Sequence, residues 1–342
     1  ALALGGLVLY RAGRAVWRVY RPQEPGRGAR RTLDGKVIVV TGASSGNGRA
    51  IALECARRGA QVVLAARDRH DLDRVAAECQ ELSPLPSSGK ALVAVADVTD
   101  REQLEHLADL AVAACGRIDA WINNAGGAFM GPTAESPEDS MRWLVDLNVW
   151  GVIHGSRVAL SVFRRQGSGH LVNMASVAGR VAFPYMGFYS ATKAFVEVFT
   201  QALRQELMHV EKTGIRVTAI CPVAVRTPFF DRAPNYNEGG RPGAYLVSPV
   251  LEPDAVGRAV ADGLERWRPL VFPLAATRSL WVMYDLLPGL SDRLMAQFRP
   301  DRPKAGPFTA AKKGSWSDEV PISPVVDDEA LKPVIPSPHG TN

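Results

Sequence analysis

Cysteine is scarce. The four present (Cys55, Cys79, Cys115, Cys221) show no paired spacing, and no Cys/His cluster suggests a metal site. A reduced, intracellular protein is the simplest reading. The apolar stretch ALALGGLVLY at residues 1–10 is too short to span a ~30 Å hydrocarbon core unaided. No basic region precedes it and no clear small-residue cleavage site follows, so a secretory signal fits poorly. There is no internal repeat. Nor is there a domain-wide excess of positive charge: the net +5 owes much to seven arginines between Arg11 and Arg31, which argues against nucleic acid as a partner. What remains is an ordinary globular balance, 46% hydrophobic and 22% charged, over 342 residues, enough for one large domain or two small ones.

Residues 1–33 form a leader and linker. Arg11, Arg14, Arg18 and Arg21 are spaced three, four and three apart, one stripe of a helix, with Tyr10, Trp17 and Tyr20 beside them. Such a helix either docks on its own domain or lies on a membrane surface as an interfacial anchor. From Lys36 the pattern becomes regular. KVIVVTG, QVVLAAR, ALVAVADV (91–98), IDAWINNAG (118–126), GHLVNMAS (169–176), IRVTAICP (215–222) and PLVFP (269–273) read as buried strands. Amphipathic helices alternate with them, at about 70–82, 100–115, 138–166, 189–211 and 253–266 after the one that follows the first strand. Alternation of this kind builds βαβ units, a parallel sheet and, with right-handed crossovers, a doubly wound α/β fold. Residues 223–250 carry Phe229 and Phe230 without a clear period and read as a binding loop; 276–298 is an apolar helical extension interrupted at Pro288-Gly289; 299–342 is a proline-rich, aromatic-poor tail expected to be disordered.

Chemistry concentrates at strand ends. TGASSGNG (Thr41–Gly48) lies between the first strand and helix, where Gly42 and Gly46 permit a tight turn and Gly48 lets the helix pack near the strand. The second strand ends Ala65-Ala66-Arg67, with no acidic residue to take a ribose 2′-hydroxyl and a guanidinium able to pair with a 2′-phosphate. Asp97 is placed either to bond the adenine amino group or to cap a helix. NNAG (Asn123–Gly126) leaves room for a ribose and offers amides to tie strands together. Asn148, inside DLNVWGV, is either a structural hydrogen-bonding group or the holder of a catalytic water. Tyr189 and Lys193 lie one helical turn apart, with Ser176 thirteen positions upstream of Tyr189. Lowering a tyrosine by about three units toward neutrality requires roughly 4 kcal/mol. A cation ~4 Å away contributes about 1 kcal/mol in water and nearer 4 in a sheltered cleft. The pair therefore acts as acid/base only under a cover that adds positive charge, as an oxidised nicotinamide ring does.

With TGASSGNG, NNAG, Asn148, Ser176, YSATK (189–193) and the Pro222/Thr227 pair in order, the chain resembles the short-chain dehydrogenase/reductase family over roughly residues 34–273, within a catalytic domain expected at 34–275. The resemblance implies a single Rossmann-type domain with sheet order 3-2-1-4-5-6-7 and a catalytic set of Asn148, Ser176, Tyr189 and Lys193. It also implies an NADP(H) site drawn from Gly42, Ser44, Ser45, Gly46, Asn47, Gly48, Arg67, Asp97, Val98, Asn124, Ala125, Gly126, Tyr189, Lys193, Pro222, Val225 and Thr227. A homodimer or homotetramer through the long helices follows from the same likeness. Two positions depart from the family pattern: Asn47 stands in place of an aliphatic residue, and Val223 in place of a glycine after Pro222.

The reading is a dehydrogenase or carbonyl reductase moving hydride between nicotinamide and a secondary alcohol, ketone or aldehyde. Alternatives are a catalytically silent dinucleotide sensor or scaffold, which would need no phenolate, and an epimerase or dehydratase on the same fold. Phe183, Tyr185, Met186, Phe188, Phe229 and Phe230, with segment 280–298, would line a wide apolar mouth suited to a lipophilic substrate. Such a substrate agrees with a cytoplasmic protein in peripheral membrane contact through residues 1–21. The apolar segments could equally pack on each other or at a dimer interface.

Overall fold

The computed structural model describes residues 33–84, 91–229, 232–233 and 250–296. Residues 1–32, which hold the leader, 85–90, 230–231, 234–249 and 297–342, with Phe230, Phe298 and the tail, lie outside them. Seven strands form one all-parallel sheet: β1 (Val37–Thr41), β2 (Gln61–Ala66), β3 (Leu92–Val95), β4 (Ala120–Asn123), β5 (Ser168–Met174), β6 (Gly214–Ile220) and β7 (Leu270–Val271). Their order is β3-β2-β1-β4-β5-β6-β7, the doubly wound arrangement expected. The helices are α1 (Gly46–Arg57), α2 (Arg69–Leu82), α3 (Arg101–Cys115), α4 (Glu138–Val145), α5 (Gly151–Gln166), α6 (Gly187–Arg204), α7 (Pro253–Glu265), α8 (Thr277–Leu286) and α9 (Pro288–Met295). No helix among the described residues is long and apolar enough to cross a membrane.

Continuous apolar runs became strands because both faces of the sheet are covered. Ile38, Val40, Val62, Leu64, Ile122 and Val172 pack against α1, α2 and α7. Their alternating neighbours Val37, Val39, Val63, Trp121, Leu171 and Val217 pack against α3, α5 and Leu207. Strand order reverses between β1 and β4, so the loops leaving their C-terminal ends part there and open a crevice.

Three elements differ from expectation. Strands β3 and β4 stop at Val95 and Asn123 because the residues beyond turn away: the Asp97 amide donates to Gln103 Oε1, and Asn124 crosses to β1. The helix expected at 138–166 is interrupted by a π-helical turn over Asp146–Trp150 centred on Asn148. In the 280–298 stripe Pro288, at the interruption the sequence marks, begins a new helix. Trp281 and Met295 are buried, while Leu286, Leu287 and Leu290 are exposed. Trp281 docks α8 on the core, its indole donating to Val177 O at 3.3 Å and its ring standing edge-on to Phe272 at 4.8 Å. Arg180 fastens the same helix through two bonds to Asp285, at 3.0 and 2.8 Å.

Candidate active site

At the crevice, the loop after β1 is shaped by glycine. Gly42 has φ +63°, and a Cβ on it would stand 2.8 Å from Ala125 Cα. A Cβ on Gly48 would lie 2.1 Å from Gly42 O, so α1 closes on its own entry loop only with glycine there. Asn124 binds this turn to β4, its amide donating to Thr41 O at 2.9 Å and Gly42 O at 3.2 Å. Thr41 Oγ1 completes the tie by accepting from the Asn124 and Ala125 amides at 3.0 and 3.2 Å. Ser45 is the N-cap of α1, but its side chain caps no amide. The first amides of the helix have no intrahelical acceptor, and the loop beside them leaves no room for a Cβ at Gly42 or Gly48. A diphosphate fits that donor set, and the positive end of the helix dipole favours it.

Thr227 closes the opposite side: a Cβ on Gly46 would meet its side chain at 3.2 Å. Val225 is buried and pairs with Leu251; Val98 is buried against Gly151. Pro222 O accepts from the Val177 amide at 3.0 Å and from Ser176 Oγ at 3.4 Å, so the Pro222-Val223 departure leaves this carbonyl bonded to the turn that carries Ser176. Asn47 lies at the start of α1 with a buried Oδ1 that has no hydrogen-bond partner among the described residues. On the outer strands, Arg67 faces Asp97 at 3.9 Å, with the guanidinium 55% exposed. One carboxylate oxygen of Asp97 accepts from the Thr99 amide and hydroxyl at 2.9 and 2.8 Å, an Asx turn; the cap of α3 is Asp100.

The ends of β4 and β5 bring the remaining residues together. Ser176 accepts from the Ala178 amide at 3.1 Å and caps a short 3-10 turn. Helix α6 starts just ahead of Tyr189, and Lys193 follows one turn on with its ammonium bonded to Met174 O at 2.9 Å. That nitrogen lies 5.9 Å from the centre of the Tyr189 ring and would be 3.4 Å from a Cβ on Gly126, which places the NNAG turn against the Tyr–Lys pair. Asn148 is fully buried. Its Oδ1 accepts from the Gly127 amide and its Nδ2 donates to Gly127 O, both at 2.9 Å, and to Thr192 Oγ1 at 3.0 Å. Thr192 in turn donates to Tyr189 O at 2.8 Å. The Asn148 side chain therefore joins three segments around the tyrosine.

Burial dominates the electrostatics. It pushes the Tyr189 hydroxyl up to about 12, the Ser176 hydrogen bond pulling only partly the other way. It lowers Lys193 from 10.5 to about 8. Both shifts have one cause, the cost of burying a charged form.

Several contributors escaped sequence reasoning. Thr41 and Thr192 act through hydroxyls set by the fold. Asn173 sits mid-strand among apolar residues; it accepts from Asn123 at 2.8 Å and donates to Thr200 at 3.0 Å, and one buried amide in GHLVNM was the available signal. Arg232 had none: its guanidinium donates to Ser45 Oγ at 3.3 Å.

A parallel sheet of this order, a glycine-walled helix start at its switch point and a buried Tyr–Lys–Ser group define a dinucleotide-binding oxidoreductase fold. The sequence profile of the short chain dehydrogenase family matches residues 36–237, and the chain belongs to that family. It is 36% identical to an uncharacterized oxidoreductase of Listeria monocytogenes over 236 residues, 69% of this chain and 92% of that protein. It is 29% identical over 271 residues, 79% of this chain and 84% of the relative, to 17-beta-hydroxysteroid dehydrogenase 13 of Rattus norvegicus. A short chain dehydrogenase/reductase of Burkholderia phymatum, solved in complex with NAD, superposes with a TM-score of 0.67 at 28% identity, covering 80% of this chain and 99% of that one. The protein is accordingly an oxidoreductase of the dehydrogenase/reductase kind.

Proposed function

We propose that the protein is an NADP(H)-dependent dehydrogenase/reductase acting on CH–OH groups, which transfers hydride between nicotinamide and a lipophilic secondary alcohol, ketone or aldehyde. The observation that carries this reading is Tyr189, buried beside Lys193 and Ser176 and walled by apolar side chains. Gly42, Ser44, Ser45, Gly46, Asn47 and Gly48 would hold the phosphates at the start of α1. Arg67 would take the 2′-phosphate, and Asp97 and Val98 would serve the adenine. Asn124, Ala125, Gly126, Pro222, Val225 and Thr227 would hold the ribose and nicotinamide. Bound nicotinamide supplies the hydride in reduction and accepts it in oxidation.

The rest is work for the chain's own side chains. Ser176 Oγ hydrogen-bonds the substrate oxygen and orients it toward the Tyr189 hydroxyl. In reduction Tyr189 donates its proton to that oxygen, the form a raised pKa favours. In oxidation it must accept one, and added positive charge is needed to bring it down from about 12. Lys193, held on Met174 O, supplies part of that charge and donates toward the ribose. Asn148 holds the loop, π-turn and helix in register.

Phe229 stands edge-on to Tyr189 at 5.9 Å, with Phe129, Met130, Met186 and Phe188 in the same cluster. These support a lipophilic substrate, as does a relative named for a hydroxysteroid. On the same reading the leader holds the protein reversibly at anionic membranes. Trp150, exposed on the π-turn, and Val198, exposed on α6, are described residues that a dimer or tetramer would cover.

The test is NADPH oxidation by the purified protein across a panel of steroid, retinoid, long-chain and sugar carbonyls. Turnover confined to apolar substrates is expected, and Tyr189→Phe should abolish it while still binding NADPH. NADPH binding without any turnover would favour a silent sensor, and more than a tenth of the wild-type rate in the Phe variant would remove Tyr189 from its role.

A further inference from the structure

Arg232 presents an electrostatic mismatch. Its guanidinium reaches Ser45 Oγ at 3.3 Å, at the start of α1. A helix N-terminus carries about half a positive charge, so a cation placed there is repelled unless an anion lies between them. Among the described residues its side chain has no carboxylate partner; the hydroxyl it contacts is the N-cap that leaves the α1 amides free. The Arg232 amide donates to Pro228 O at 3.0 Å. Close by in the chain, Phe229 stands against Tyr189, and Ala233 is buried in the same cluster as both. Arg232 is separated from Ser45 by 187 positions, yet the fold brings it to the cradle while its neighbours cover the tyrosine.

We propose that Arg232 binds a phosphate of the dinucleotide at the N-terminus of α1, completing a cradle whose amides alone cannot neutralise the charge. This rests on the reading that the cradle takes a nicotinamide dinucleotide. An anion seated there would accept from both the helix amides and the guanidinium, turning the mismatch into a charge-assisted contact. Two phosphates share this chemistry, the diphosphate common to both cofactors and the 2′-phosphate of NADP(H) alone.

Fluorescence titration of the full chain with NADPH and, separately, NADH distinguishes them, without substrate. Arg232→Gln is expected to weaken binding about tenfold, and Arg232→Glu further. Because Arg232 is exposed, both variants should melt with the wild type in the absence of cofactor. Equal loss for the two cofactors assigns the diphosphate; loss for NADPH alone assigns the 2′-phosphate. Either variant binding both cofactors as tightly as the wild type overturns the assignment and leaves the proposed function intact. Wild-type protein that binds neither cofactor overturns both.

Discussion

The cradle and the Tyr–Lys end of the site are built by opposite means. At the cradle the groups presented are backbone amides, with cations exposed nearby, and the shape comes from the absence of side chains at Gly42, Gly46 and Gly48. Around Tyr189 the working groups are buried side chains, and the shape comes from amides and hydroxyls on several distant segments. The first design tolerates water and gains little per contact. The second excludes water and moves Tyr189 and Lys193 far from their ordinary pKa values. On the proposed function, affinity would belong to one end and reactivity to the other, and changes at the two ends should fail differently.

The largest expected effect is at the cradle. Gly48→Ala would put a methyl 2.1 Å from the Gly42 carbonyl, backbone that cannot step aside. We expect about 3 kcal/mol of lost stability, at the upper end of overpacking, together with loss of cofactor binding. Urea unfolding and NADPH titration measure the two; a variant that binds normally would mean the α1 start is more plastic than the geometry allows.

Next comes the pH response of the buried end. The folded pKa of Lys193, about 8, lies below its ordinary 10.5. Burial therefore penalises the folded state fully below pH 8, and the penalty fades as pH rises from 8 toward 10.5. Tyr189, raised from 10.0 to about 12, has the opposite effect, but only above pH 10, where stability falls. Relative to Lys193→Met, the wild type should gain about 2 kcal/mol of stability between pH 7 and pH 10. Parallel stability curves for the two proteins would show that Lys193 is not desolvated.

The smallest effect is cofactor choice. Arg67 is more than half exposed and already near Asp97, so its contact with a 2′-phosphate is screened and worth about 1 kcal/mol. Ala66→Asp with Arg67→Gln should swing the ratio of kcat/KM from NADPH toward NADH by about tenfold or more. Equal kcat/KM for both cofactors in the unaltered protein would remove the NADP(H) preference.

Much of the fold was legible in the chain. Strands such as VIVVT are apolar throughout because both faces are covered, and helices betray themselves by period, so the alternation of elements could be read directly. Boundaries blurred where a side chain ends a strand by bonding elsewhere, as Gln103 does to Asp97. The π-turn at Asn148 was hidden because its residues keep an ordinary helical pattern and the extra residue shows only in the hydrogen bonds. Tyr189 and Lys193 were legible as a pair because four positions on a helix are one turn.

Spacing along the chain thus determined the sheet class, the glycine-walled start of α1 and the Tyr–Lys pair, each set by interactions within a few residues. Tertiary structure alone decided that Gly126 faces Lys193, that Thr192 links Asn148 to Tyr189, and that Arg232 meets Ser45. Contacts across tens to hundreds of positions depend on how packed layers bring strand ends and loops into one crevice, and no local periodicity encodes the direction in which a single guanidinium or hydroxyl then points.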